Sequence, residues 1–181
     1  DGTRMWREDY SGALPTVSYV GIGSPTGVKF AKGTNFPPTF RRALFVQDWS
    51  YGRILAVHLK EPGSTYTGTV EKFLDGAPLN VTSLSFGPEG AMYFITGGRG
   101  TQSGLYRVSY TGQNNSDAAE DSPRNRRSAR EVRRKLESLH QGASPTDLSF
   151  ILQHLFGGDE GIRIAARVAL ETLPVDLWKG K

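Results

Sequence analysis

The chain has no cysteine and only three histidines in 181 residues. Without thiols this stretch has no disulfide, no thiolate metal site and no thiol nucleophile. No run reaches the roughly 18 consecutive apolar residues that a membrane-crossing helix needs, so no membrane span is expected. The first residues, DGTRMWREDYSG, have neither the apolar centre of a secretion signal nor the character of a transit peptide, and they read as the interior of a longer polypeptide. A basic run, Arg124, Arg126, Arg127, Arg130, Arg133, Arg134 and Lys135, has no aromatic residue interleaved. Bases would have nothing to stack on, so the run reads as a linker and the polar face of a helix, and no nucleic-acid partner is expected. The net charge of +4 is modest, and a hydrophobic content of 37% is low but sufficient for a folded core.

What is present is β patterning that occurs twice. In Val81 to Tyr110, VTSLSFGPEGAMYFITGGRGTQSGLYRVSY, Leu84 and Phe86 alternate with Ser83 and Ser85, the period-2 signature of a half-buried strand. Gly87-Pro88-Glu89-Gly90 is a turn, because proline presets φ and glycine accepts a positive one. Ala91 to Ile95 is nearly continuous in apolar residues, as in a strand covered on both faces. Gly97, Gly98, Gly100 and Gly104 break it before Leu105 to Val108 resumes alternation. Upstream, Val28 and Phe30 match Leu84 and Phe86, Ala43 to Val46 matches Ala91 to Phe94, and Gly52 to Val57 matches Gly104 to Val108 loosely. A period of about 50 residues suits four-stranded β-propeller blades, with a generic antiparallel meander as the alternative.

Around these repeats, residues 1–23 read as a loop and the outer strand of a preceding blade, with Trp6 and Tyr10 as core anchors. Residues 31–42 contain Pro37 and Pro38, which argue against regular helix or central strand. Tyr66 to Leu74 is an outer strand. Residues 111–127, TGQNNSDAAEDSPRNRR, have only Ala118 and Ala119 as apolar residues and read as a flexible linker. From Ser128 the period becomes helical. Val132, Leu136 and Leu139 share a face, Ser128 and Glu131 make a capping-box pattern, and Gly142 is a stop. A second helix from Ser144 or Pro145 carries Leu148, Ile151, Leu152 and Leu155 and ends at Gly157-Gly158. Asp159 caps a third, with Ile162, Ala165, Ala166, Ala169 and Leu170 in a stripe closed by Pro174. The expected division is blades at 1–110, linker at 111–127 and a helical segment at 128–181, a mainly β fold with added α.

The stretches SPTGVKFAKGTNFPPTFRRALFVQDWSYGRILAVHL and VTSLSFGPEGAMYFITGGRGTQSGLYRV resemble the propellers of sorbosone and glucose dehydrogenase-like quinoproteins. DEGIRIAARVALETLP resembles a HEAT-repeat helix. That domain order is similar to the large "membrane-bound dehydrogenase" proteins of planctomycete-type bacteria. The resemblance covers about residues 24–176. It implies a fragment carrying about two blades of a ring of about six, in an exported protein. The whole protein would oxidise a sugar or related alcohol at pyrroloquinoline quinone with calcium and pass electrons to a cytochrome c domain. The competing reading is a non-catalytic propeller joined to a solenoid, serving as a binding or scaffolding protein. A propeller lactonase is weaker, since no calcium cluster of Glu, Asn and Asp is evident.

Such oxidation needs a base, usually histidine, beside the quinone and the substrate hydroxyl. His58 sits in an alternating strand, and His140 and His154 lie on helices, so no catalytic residue is assigned. Related propellers carry a histidine before the Ser-Pro-x-Gly turn, where this chain has Gly23. No metal ligand is assigned, Glu89 included. For the cofactor, Arg53 is the candidate cation for quinone carboxylates, Trp49 the stacking surface, and Arg99 in Gly97-Gly98-Arg99-Gly100 the second-blade equivalent of Arg53. The plainer reading of Asp48, Trp49, Tyr51 and Arg53 is blade-to-blade packing with a turn aspartate, and it is the favoured one. The fragment alone is expected to be inactive.

Overall fold

The computed structural model describes residues 14–112 and 124–180, of which 124–127 are described as backbone only. Trp6, Tyr10 and the 113–123 part of the expected linker lie outside the described residues. The alternating stretches become strands. β1 (Pro25–Phe30), β2 (Leu44–Asp48), β3 (Arg53–Lys60) and β4 (Thr67–Asp75) form one antiparallel sheet in that order, and β5 (Val81–Phe86), β6 (Met92–Gly98) and β7 (Thr101–Val108) form another. Both belong to one unit of residues 17–60 and 67–112.

The two sheets share a register. Val28 faces Val46 and Phe30 faces Leu44; Leu84 faces Phe94 and Phe86 faces Met92. The offsets are 56 residues in the first strands and 48 in the second. Val57 opposite Leu44 corresponds to Val108 opposite Met92, an offset of 51. Each first hairpin also has a bulge-like irregularity at the same place, between Pro25 and Gly27 and between Val81 and Ser83. A bulge re-aims a strand, so its recurrence marks one structural module used twice.

The core lies between the sheets. Phe45, Ile54 and Ala56 of the first meet Val81, Leu84, Met92 and Phe94 of the second. The Phe45 ring is 4.9 Å from Phe73 at 84° and 5.8 Å from Phe86. Each edge-to-face pair contributes about 0.5–1.5 kcal/mol beyond the area it buries. Phe36 and Phe40, from the proline-containing stretch, join this aromatic cluster.

Several expectations need correction. The described residues form two open sheets, and the second has three strands where four were expected. β6 is not covered on both faces: Met92, Phe94 and Thr96 are buried while Ile95 is exposed. The strand also continues through Gly97 and Gly98, and only Arg99-Gly100 turns the chain. Pro38 opens a one-turn helix, α1 (Pro38–Arg41), because proline's missing N–H has no partner at a first helical position. The helix expected from Ser128 begins earlier, as α2 (Arg124–Ser138). Arginine is a strong helix former, and adding residues to an existing helix costs little, so the linker loses its last four residues and Ser128 lies inside the helix.

α2, α3 (Leu148–Gln153) and α4 (Glu160–Glu171) form the second unit, together with 14–16 and the β3–β4 loop, residues 61–66. Its core is Leu136, Leu148, Ile151, Ala165, Ala166 and Ala169 with their neighbours, the stripes read from the sequence. α3 stops at His154, short of the glycine pair. Asp159 caps α4 by accepting from the Ile162 amide at 3.0 Å. It also accepts from the Ser64 amide at 2.8 Å and from the Ser64 hydroxyl. Arg133 donates to the Ser64 carbonyl at 3.2 Å, and Arg130 pairs with Glu61.

Burial pushes the Asp159 carboxyl up, but donors from Ser64 and from the Ile162 and Gly161 amides prevail and hold it below the ordinary carboxylate range. A lowered folded pKa means that this contribution is complete above the unfolded value, about pH 4, and is lost as pH falls through the folded one. Asp159→Ala is expected to destabilise the helical unit by about 1–2 kcal/mol at neutral pH. Helical ellipticity in urea, followed as pH is lowered from 6 to 2 (roughly the carboxylate range), should show the gap between wild type and variant closing in acid. An unchanged urea midpoint at pH 7 would refute the clasp.

Candidate functional site

The loop after β2 and the turn after β6 bring chemistry-bearing side chains to one end of the sheets. Trp49 is anchored three ways. Its amide donates to the Ser24 carbonyl at 3.0 Å, its carbonyl accepts from Asn80 Nδ2 at 2.8 Å, and its indole Nε1 donates to the Gly97 carbonyl at 2.8 Å. The last bond ties the two sheets together at their loops. Gly98 has φ 95°, a conformation that favours glycine, while a Cβ there would only make an ordinary contact with Nε1 at 3.4 Å.

The β6–β7 connection is a two-residue hairpin closed by Gly98 opposite Thr101. Both central residues have positive φ, Arg99 at 49° and Gly100 at 81°. Short hairpins favour this because it matches strand twist, and Asn-Gly or Gly-Gly is the usual solution. Arg99 is the only non-glycine residue at positive φ among the described residues. Its guanidinium carbon lies 5.5 Å from the Trp49 ring centroid, a cation–π distance. Thr101 Oγ1 donates to the Gly98 carbonyl at 2.7 Å and also reaches Asn80 Oδ1 at 3.3 Å.

Arg53 is differently occupied. Its Nε donates to Asp48 Oδ2 at 2.8 Å, and its Nη2 donates to the carbonyls of Val20 at 3.1 Å and Ile22 at 3.3 Å. The guanidinium carbon sits 5.0 Å from the Tyr51 ring centroid. Asp48 is only 3% exposed, and its Oδ1 accepts from the Ser24 amide at 2.9 Å. Arg53 therefore neutralises a buried carboxylate and straps residues 20–22 over its sheet. The charges flank a tight hairpin as directly opposed residues, a signal present in the sequence as Asp48 and Arg53 on either side of four loop residues.

The expected equivalence of Arg53 and Arg99 does not hold. Register assigns Gly104 to the position of Arg53, since Thr96 faces Gly104 as Asp48 faces Arg53. Thus Trp49 and Arg99 come together, one from each sheet, while Arg53 stays with Asp48. The structure also explains Gly23: a Cβ there would lie 2.4 Å from Asp48 Oδ2. A histidine cannot occupy that position while Asp48 is held by Ser24 and Arg53.

The histidines are all engaged. His58 Nε2 lies 2.8 Å from Glu71 and its ring packs on Phe40. His140 Nε2 lies 2.9 Å from the Ala165 carbonyl, and His154 Nδ1 lies 2.8 Å from that of Phe150. Among the described residues no group of three His, Asp or Glu side chains is placed to hold a metal ion. Glu89 accepts from the Tyr93 hydroxyl and lies 3.8 Å from Arg107. The Tyr93 bond, the backbone and Arg107 outweigh a small burial effect and hold the Glu89 carboxyl below its usual range. No family model, curated protein or solved structure matches this chain.

Gly23→Ala is expected to lower stability by about 1–3 kcal/mol, because the Asp48 carboxylate is pinned and cannot retreat. Gly157→Ala, where an added Cβ meets nothing within 4 Å, is the control. Equal thermal midpoints for the two variants would refute the crowding.

Proposed function

We propose that the chain is a section of a ring-shaped β-propeller of the quinoprotein dehydrogenase type, and that its own role is to hold a planar anionic quinone rather than to move protons. The observation that carries the reading is Arg99. A non-glycine residue at positive φ costs on the order of 1 kcal/mol, and such strain tends to gather at ligand sites. Here the strained position lays a guanidinium over an indole. An indole face accepts a flat ring, and a guanidinium pairs in fork geometry with a carboxylate.

Pyrroloquinoline quinone has both features, and when bound it supplies the hydride-accepting carbonyl. Trp49 would stack on its rings, Arg99 would hold a carboxylate, and Asn80 and Thr101 keep the two loops in place. Arg53 supports the site through Asp48 and the strap. His58 lies at the far end of β3 from the Trp49 loop, and His140 and His154 belong to the helical unit, so proton removal is assigned to residues outside this section and the section alone is expected to be inactive. A sugar or alcohol substrate, a haem c acceptor and an exported location are part of the same proposal, from the resemblance of the repeats.

A second reading, a binding or scaffolding protein, is favoured by one feature of the helical unit. Phe156 is 90% exposed beside an open pocket also lined by Leu155, Arg163, Ile164 and Arg167. Exposed aromatics flanked by arginine are the usual anchors of protein interfaces.

Titration with pyrroloquinoline quinone, followed by quenching of tryptophan fluorescence, separates the readings. Quenching should disappear in Trp49→Phe, and Arg99→Gly should weaken binding about tenfold, the worth of a charge-assisted contact. The same variant should gain roughly 1 kcal/mol of stability by releasing the strained φ. Saturable quenching that is unaltered in both variants, or none in the wild type, would remove the quinone from this site.

A further inference from the structure

The indole face that a flat ligand would take is already covered. Trp49 is half-buried, and bonds from its amide, its carbonyl and its Nε1 keep the ring between the two loops. Arg99 is exposed, and its guanidinium carbon stands 5.5 Å from the ring centroid. An exposed side chain over a half-buried ring lies on the ring's solvent side, which is also the side from which a ligand arrives.

Nothing else holds this cation in place. Arg53, Arg107, Arg130 and Arg133 each lie against a carboxylate. Among the described residues no carboxylate pairs with Arg99, whose contact is with the indole. An exposed cation–π contact is weak, and a fork-geometry pair with a carboxylate is stronger. The backbone is fixed by the closed hairpin and its positive φ, but the long side chain beyond it keeps its rotamers.

We infer that Arg99 selects the ligand of this site by charge. It caps the indole in the free protein, leaves the ring for the carboxylate of a planar anion, and stays in the way of a planar neutral molecule. The inference rests on the reading of Trp49 and Arg99 as a planar-anion site. An anion displaces the cap and pairs with it in the same event. A neutral ring displaces it into water and loses the cation–π contact without compensation. Selection then comes from a term against the wrong ligand as well as one for the right ligand. The opposite arrangement is a sandwich, with the guanidinium riding on the far face of the bound ring, and it would help both ligands.

Two probes that share a ring and differ in charge separate these cases. An anthraquinone carboxylate and its neutral carboxamide are titrated against the 181-residue chain, with tryptophan quenching as the signal and Trp49→Phe to assign it. The wild type should bind the carboxylate more tightly. Arg99→Gly should bind the carboxylate about tenfold more weakly and the carboxamide about threefold more tightly, as loss of the pair and loss of the cap require. Arg99→Asn, which also accepts a positive φ, should repeat both changes. Arg99→Lys keeps the charge and should keep the preference for the carboxylate. A wild type that binds the two probes alike, quenching that does not depend on Trp49, or carboxamide binding that is unchanged or weaker in Arg99→Gly would overturn the inference. The quinone reading fails separately: no quinone binding, with the two probes still discriminated, would remove the quinone and leave the selection by charge.

Discussion

Phe45 is the point through which the β unit is held together. It is fully buried on an inner strand of its sheet and touches aromatic rings from that sheet and from the next. Two open antiparallel sheets are stable only when an apolar face of each is covered. Phe45 and its neighbours cover Leu84 and Phe94, and the loops at the sheet ends inherit their positions from that contact. Trp49 follows one residue after β2, and the Gly97 carbonyl it binds lies at the end of β6. A slip of one residue in either strand would turn the pleat over and separate the two.

Two charged residues near this end behave in opposite ways for the same electrostatic reason. Arg53 is bound to a carboxylate that is almost wholly removed from water, where an unpaired charge would cost several kcal/mol. Arg99 has a strained backbone, an exposed side chain and an aromatic surface beneath it. The same residue type is thus structural in the first hairpin and available in the second.

Much of the β unit was legible because strands leave a period of two and the repeat supplied its own check. The offsets between Val28 and Leu84 and between Val46 and Phe94 survive as backbone register. The exposure of Ile95 was not legible, since an apolar run reads alike whether one face or two is covered. The early start of α2 was hidden because arginine serves a linker and a helix equally well. At the site, the pairing of Trp49 with Arg99 could not be read from spacing, because it depends on how one sheet lies on the other. The fate of Arg53 was more accessible. The reason for Gly23 was not, for it lies in a carboxylate 25 positions further along.

The clasp between Ser64 and Asp159 has a consequence for how the polypeptide reaches its final form. Its two halves are 95 positions apart, and the earlier half belongs to a connection inside the first sheet. Closing so large a loop carries an entropy cost that is not offset until α4 exists to receive it. During synthesis from the N-terminus, the 61–66 connection must therefore wait, solvated, while more than half of the molecule is still being made. The two units are interleaved in the chain, and neither order of assembly lets the helical one finish first.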